Sequence, residues 1–152
     1  MADHEELFAR LIDKDAKSAC AYADKLAAES RESDHFYPYL DDFAALLNHK
    51  NSLVRNRAIS ILAANARWDS ENRYDALIDE FLSHVTDEKP ITARQCIQAL
   101  PEIGLVKPNL ILQIRAALEN ADLTGYRDSM QPLILKDIVS ALQKIAEQEK
   151  KI

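Results

Sequence analysis

Asp41-Asp42 and Asp79-Glu80 are the first candidates for chemistry, because paired carboxylates can share general acid and base work. Adjacent helical residues point about 100° apart, so neither pair converges on one atom, and acids early in a helix answer its dipole. His35, His49 and His84 are metal-ligand types, yet no HxxxH or HExxH spacing sets two of them on one helical face. Cys20 and Cys96 lie far apart, with no CxxC pair and no nucleophile motif around either. They are expected to be small buried hydrophobes in a reducing compartment. No Ser, His and Asp spacing picks out a triad. Trp68 and the aromatics Phe36, Tyr39, Phe43, Tyr74 and Phe81 could stack on bases, but their helical spacing predicts packing between paired helices. No catalytic residue, cofactor site or metal site is expected, and the chain is read as a non-enzyme.

What must position any site is helical. The chain has 152 residues, 47% of them apolar and 29% charged, which predicts one domain over 1–152 with a substantial core. Only Gly104 and Gly125 are glycines, which excludes a glycine-rich phosphate loop and argues against a turn-rich β fold. The net charge is −6, so nucleic-acid binding would need a concentrated basic face. The acidic start Met-Ala-Asp-His-Glu-Glu is unlike a targeting peptide, and no run approaches the roughly 18 apolar residues that cross a bilayer. A cytoplasmic protein without membrane contact is expected.

Breaks come at short intervals. Asp13 to Asp15, Glu29 to Asp34, Asn48 to Ser52, Asp69-Ser70 and Asn120 to Asp128 separate periodic stretches, and Asp69-Ser70 supplies an N-cap. Pro90, Pro108 and Pro132 each open an apolar run, the first-turn position that helices tolerate. Pro101 lies inside a run, where it is expected to kink the helix near its end. The pattern predicts about eight helices and no strand.

The runs repeat. A shift of 38 residues carries Phe36, Leu40, Phe43 and Leu47 onto Tyr74, Ile78, Phe81 and Val85, and Ala58, Ile59, Ile61 and Leu62 onto Cys96, Ile97, Ala99 and Leu100. A further shift of 42 carries Cys96, Ile97, Ala99, Leu100 and Ile103 onto Ile138, Val139, Ala141, Leu142 and Ile145. Four helix pairs follow, over 3–30, 34–67, 70–104 and 108–148, the first poor in large apolar residues as a solvent-facing cap would be.

The run Val54-Arg55-Asn56-Arg57-Ala58-Ile59-Ser60-Ile61-Leu62 resembles the second-helix signature of HEAT and armadillo repeats, and Thr92 to Gly104 and Ile134 to Ile145 are similar to it. The resemblance implies an all-α superhelix of four antiparallel helix pairs, a scaffold for many functions. It implies a structural role for Arg55, bracing neighbouring repeats; Ala93 and Leu135 stand at the matching positions, so no arginine ladder continues. Helical phasing agrees, because Arg55 projects into the apolar arc of Val54, Ala58, Ile59, Ile61 and Leu62.

The opposite sides of the second helices stack into columns: Asn56, Arg94, Lys136; Arg57, Gln95, Asp137; Ser60, Gln98, Ser140; Ala64, Glu102, Lys144. In a solenoid this ridge lines the concave surface, where partners bind. With Arg67 it carries a net charge of +3 on an acidic chain. The expected function is protein-protein interaction with an acidic protein or peptide, through Arg57, Arg94, Gln98, Lys136, Ser140 and Lys144. The alternative is a nucleic-acid-binding protein similar to the DNA alkylation-repair glycosylases built from HEAT-like repeats.

Overall fold

In a computed structural model, which describes residues 4–151, the chain is all-α. Among the described residues there are eight α-helices and no strand, in agreement with the periodicity. They are α1 (His4–Leu11), α2 (Ala16–Glu32), α3 (Leu40–Ala45), α4 (Ser52–Asn65), α5 (Tyr74–Ser83), α6 (Pro90–Val106), α7 (Ile111–Glu119) and α8 (Gln131–Lys150).

Short polar side chains start several of them. The Asp15 carboxylate accepts from Ser18 N at 3.2 Å before α2, and Asn51 Oδ1 accepts from Leu53 N at 2.9 Å before α4. Asp69 works across a longer gap, accepting from Arg73 N at 2.8 Å and Tyr74 N at 2.9 Å at the front of α5. The chain makes that reach by turning at Asn72, whose φ of 56° is a left-handed value that asparagine tolerates. Pro90 and Pro132 open α6 and α8. Pro101 lies inside α6, which continues through it to Val106.

The four longer helices pack in chain order, α2 on α4, α4 on α6 and α6 on α8. Beside them α3 packs on α4 and α7 on α8. Asn109, in the turn before α7, donates to Asp75 at 2.9 Å, and Gln113 of α7 donates to Asp79 at 3.4 Å, both reaching α5. The core is continuous along this order. Leu7, Leu11, Phe43, Ile59, Leu62, Tyr74, Phe81, Ile97, Leu100, Ile114, Ile134 and Ile145 are all buried in it. The Tyr74 hydroxyl donates to the Leu62 carbonyl, satisfying its one polar atom.

Gly104 sits inside α6 with no positive φ, so conformational freedom is not why glycine stands there. A Cβ at that position would meet Gln148 Oε1 at 3.2 Å and Ile111 Cγ1 at 3.6 Å. The Gln148 end is long and its oxygen has no partner, so it can give way. Gly104→Ala is therefore expected to stabilise the protein by about 0.5 kcal/mol through reduced backbone entropy. Thermal denaturation checks this, and a lowered Tm would mean that the bond from Gln148 Nε2 to the Pro101 carbonyl, 2.9 Å, holds α8 too tightly to yield.

Candidate functional site

The ridge along α4, α6 and α8 is polar as expected, but most of its polar groups bind one another. Thr92 Oγ1 donates to Asn56 Oδ1 at 2.6 Å, and Gln95 Nε2 donates to the Asn56 carbonyl and to Ser60 Oγ, both at 2.7 Å. These bonds close the seam between α4 and α6. Arg94 is tied across the next seam, its Nε 2.6 Å from Asp137 Oδ2. At the far ends of the helices Glu102 holds two arginines: Arg31 donates to it at 2.8 and 3.0 Å, and Arg67 at 2.9 Å. Arg67 also donates to the carbonyls of Ala64 and Arg31, at 3.1 and 3.2 Å.

Arg57 requires a correction. It was expected on the free side of α4, yet it is only 6% exposed and donates to the Leu11 carbonyl at the end of α1, at 2.7 Å. Ala64, expected in an exposed column, is buried too. The reason is the position of α4. With α2, α3 and α6 all packed on it, the buried arc extends from Val54 to Asn65 well beyond one face.

The seam between α6 and α8 differs from its neighbour. A cavity of about 290 Å³ opens there, lined by Gln98, Pro101, Asp137, Ser140, Ala141 and Lys144. Gln98, Ser140 and Lys144 are exposed, as is Lys136 one turn before Ser140, and none of the four has a side-chain partner within the described residues. The cavity thus offers an ammonium, a hydroxyl and an amide together, beside a carboxylate that Arg94 already occupies. The structure brings three of the six expected ridge residues, Gln98, Ser140 and Lys144, to one cavity, leaves Lys136 exposed a turn away, ties Arg94 to Asp137 and takes Arg57 away.

Two buried ionic clusters lie off this ridge. Arg55 forms a two-pronged pair with Asp87, Nε to Oδ2 at 3.0 Å and Nη2 to Oδ1 at 2.8 Å, and also donates to the carbonyls of His49 and Lys50. His84 Nδ1 lies 2.7 Å from Asp87 Oδ2. The carboxylate is the acceptor, so the proton sits on Nδ1, and Nε2 is left buried without a partner. Burial alone would raise the Asp87 pKa, but bonds from Arg55, Lys89 N and His84 outweigh it and hold the carboxyl below its usual range.

The second cluster surrounds Asp69. Its Oδ1 accepts from the Tyr37 hydroxyl at 2.5 Å, and Lys107 Nζ lies 3.3 Å from Oδ2 and 2.9 Å from the Asp69 carbonyl. Lys107 Nζ also donates to Asn72 Oδ1 at 2.6 Å. Burial again opposes ionisation of Asp69, and the donors from Tyr37, Tyr74 N, Arg73 N and Lys107 prevail. Burial and the neighbouring Asp69 push the Tyr37 hydroxyl up to about 12. Each cluster locks the start of a helix to another part of the chain.

A separate cavity of about 580 Å³ lies between α1, α2 and His35-Phe36, where the sequence carried no signal. Arg10 and Lys25 both line it, and Arg10 is stacked on the Tyr22 ring at 3.9 Å. Trp68 is committed as well, its indole N–H donating to the Ser30 carbonyl at 2.6 Å. Among the described residues no group of three or more His, Cys, Asp or Glu is placed to hold a metal, and no helix is long and apolar enough to cross a membrane. Compared with protein families, curated proteins and solved structures, the chain shows no significant match.

Proposed function

We propose that this chain is a non-enzymatic interaction module, a short superhelix of HEAT-like helix pairs that binds an acidic protein or peptide segment between α6 and α8. The repeat reading is supported by where the side-chain bonds fall. His4 to Asp42, Trp68 to Ser30 and Lys107 to Asp69 each span 38 residues, and Gln95 to Asn56 and Tyr126 to Asp87 span 39. Bonds of one period are what stacked units make with their neighbours.

The observation that carries the site is the set of unpartnered donors. On a ridge where Arg94 is paired with Asp137 and Arg67 shares Glu102 with Arg31 of α2, Lys144, Ser140 and Gln98 remain unpartnered around a cavity, with Lys136 one turn away. A carboxylate fits that set, with Lys144 meeting its charge and the hydroxyl and amide donating to its oxygens. Two free lysines supply too little phosphate neutralisation to favour nucleic acid.

The test is a cross-linking pull-down from native lysate with the wild-type chain beside a Lys136→Glu, Lys144→Glu variant. Both lysines are exposed, so the variant is expected to melt like the wild type. A partner bound by the wild type is expected to lose at least about tenfold in affinity to the variant, and more at low salt. Equal capture by both would remove the site from this seam. A shift of duplex DNA by the wild type alone would favour the nucleic-acid alternative.

A further inference from the structure

The flank by which each longer helix meets the next can be read from register. On α6, Ala93, Ile97, Leu100 and Gly104 are buried, and Gly104 lies against Gln148 of α8. A shift back of 38 residues gives Arg55, Ile59, Leu62 and Ala66, buried where α4 meets α6. A shift forward of 42 gives Leu135, Val139, Leu142 and Ala146 on α8. Most of that stripe is uncovered: Leu135 is 54% exposed and Val139 48%, Ala146 is exposed, and Leu142 is half-buried against the edge of the core. The helix packs on α6 and α7 through a different stripe, Ile134, Ile138, Ala141 and Ile145. So α8 has two apolar stripes, roughly 100° apart around its axis, and only one is used.

We infer that the free stripe is the contact for a second copy of this chain, formed by antiparallel α8–α8 pairing about a two-fold axis. The residues Pro132, Leu135, Val139, Leu142 and Ala146 recur at alternating spacings of three and four, the seam of a two-helix coil, and such a seam complements itself. The other end of the stack cannot take it. The outer side of α2 mixes Lys25, Glu29 and Glu32 with Ala21 and Ala28, beside Phe36, so head-to-tail contact would bury three charges along with its apolar surface and would run on into an open filament.

Orientation follows from the flanks of the seam. One flank of α8 is taken by the chain's own α6 and α7, and the other is free and polar. An antiparallel pair sets free flank against free flank and the two occupied flanks side by side, with Leu135 opposite Ala146 and Val139 opposite Leu142 of the second copy. Lys136 then comes beside Gln143 and Glu147 of the second copy, twice by symmetry. A parallel pair would instead set each free flank against the other copy's α6 and α7.

Sedimentation equilibrium from micromolar to millimolar concentration tests the dimer. The wild-type mass is expected to rise from 17.2 kDa toward twice that value. Val139→Glu and, separately, Leu135→Gln are expected to stay monomeric with unchanged circular dichroism. Ile91→Glu, at an exposed apolar residue on α6, is expected to dimerise like the wild type. In a Cys20→Ser background, oxidation of Leu135→Cys mixed with Ala146→Cys is expected to yield a cross-linked pair, while Leu135→Cys alone yields none. A wild type that stays monomeric at millimolar concentration, or a Val139→Glu protein that still dimerises, overturns the contact. Self-linking of Leu135→Cys overturns the antiparallel orientation.

Discussion

Asp69→Ala is expected to remove about 3–5 kcal/mol of stability, a large fraction of what a domain of this size possesses. The loss comes from what the substitution strands. Lys107 keeps its charge in a site where its side chain is 7% exposed, while the Tyr37 hydroxyl and the amides of Arg73 and Tyr74 lose their acceptor. Removing both charges at once avoids that, so Asp69→Asn with Lys107→Met is expected to recover a large part of the loss that Asp69→Asn alone causes. Urea denaturation of the four proteins measures it, and a single substitution as mild as the double would show that the pair is hydrated. The same site sets the acid limit. The folded Asp69 and Asp87 carboxyls titrate below the unfolded value of 3.8, so the unfolded chain takes up protons first. Their contribution is complete above about pH 5 and is lost as pH falls through 3.8 and below the folded values. Tm is therefore expected to be flat from pH 7 to 5 and to drop steeply beneath.

Arg55→Ala ranks second. It leaves Asp87, whose side chain is 4% exposed, facing His84 and the Lys89 amide without its strongest partner, at a cost of about 3 kcal/mol or more. Asp87→Ala is expected to cost a similar amount by stranding the guanidinium. The double substitution is expected to cost clearly less than the sum, with a coupling of about 1–3 kcal/mol. Arg55→Lys is expected to rescue little, because one ammonium cannot reach both carboxylate oxygens and the carbonyls of His49 and Lys50 together. Additive losses in that cycle would mean that Arg55 acts through its packed stem alone.

Periodicity made the helices legible, and phasing put Arg55 among apolar neighbours, where it lies. The acceptor that receives it was not legible, because Asp87 is 32 residues away in a turn, and turns carry no period. Arg57 shows the converse limit. A helical wheel assigns one buried face, whereas α4 is packed on by α2, α3 and α6 and buries most of its circumference. At the ridge, residue types and columns located Gln98, Lys136, Ser140 and Lys144 on exposed positions. What spacing could not show was which charges cancel. Arg31 was outside the columns altogether, and its bond to Glu102 spans 71 residues. A signal for the Asp69 cluster did exist, since Asp69 and Lys107 stand one 38-residue period apart with opposite charge.

That 71-residue bond has a mechanical consequence. Most side-chain ties in this protein join neighbouring helices, and a stack held only that way can flex at every seam like a loosely bound book. Glu102 instead gathers Arg31 from the end of α2 and Arg67 from just beyond α4 onto a carboxylate of α6. Opening the angle between α2 and α6 must stretch both ties together, so that end of the stack is stiff. Among the described residues α8 is fastened to α6 by Arg94 and Gln148 and to α7 by the Arg115–Glu149 pair, each tie crossing a single seam. The seam with the open cavity is thus held only by ties between adjacent helices, while the opposite end of the stack is cross-braced.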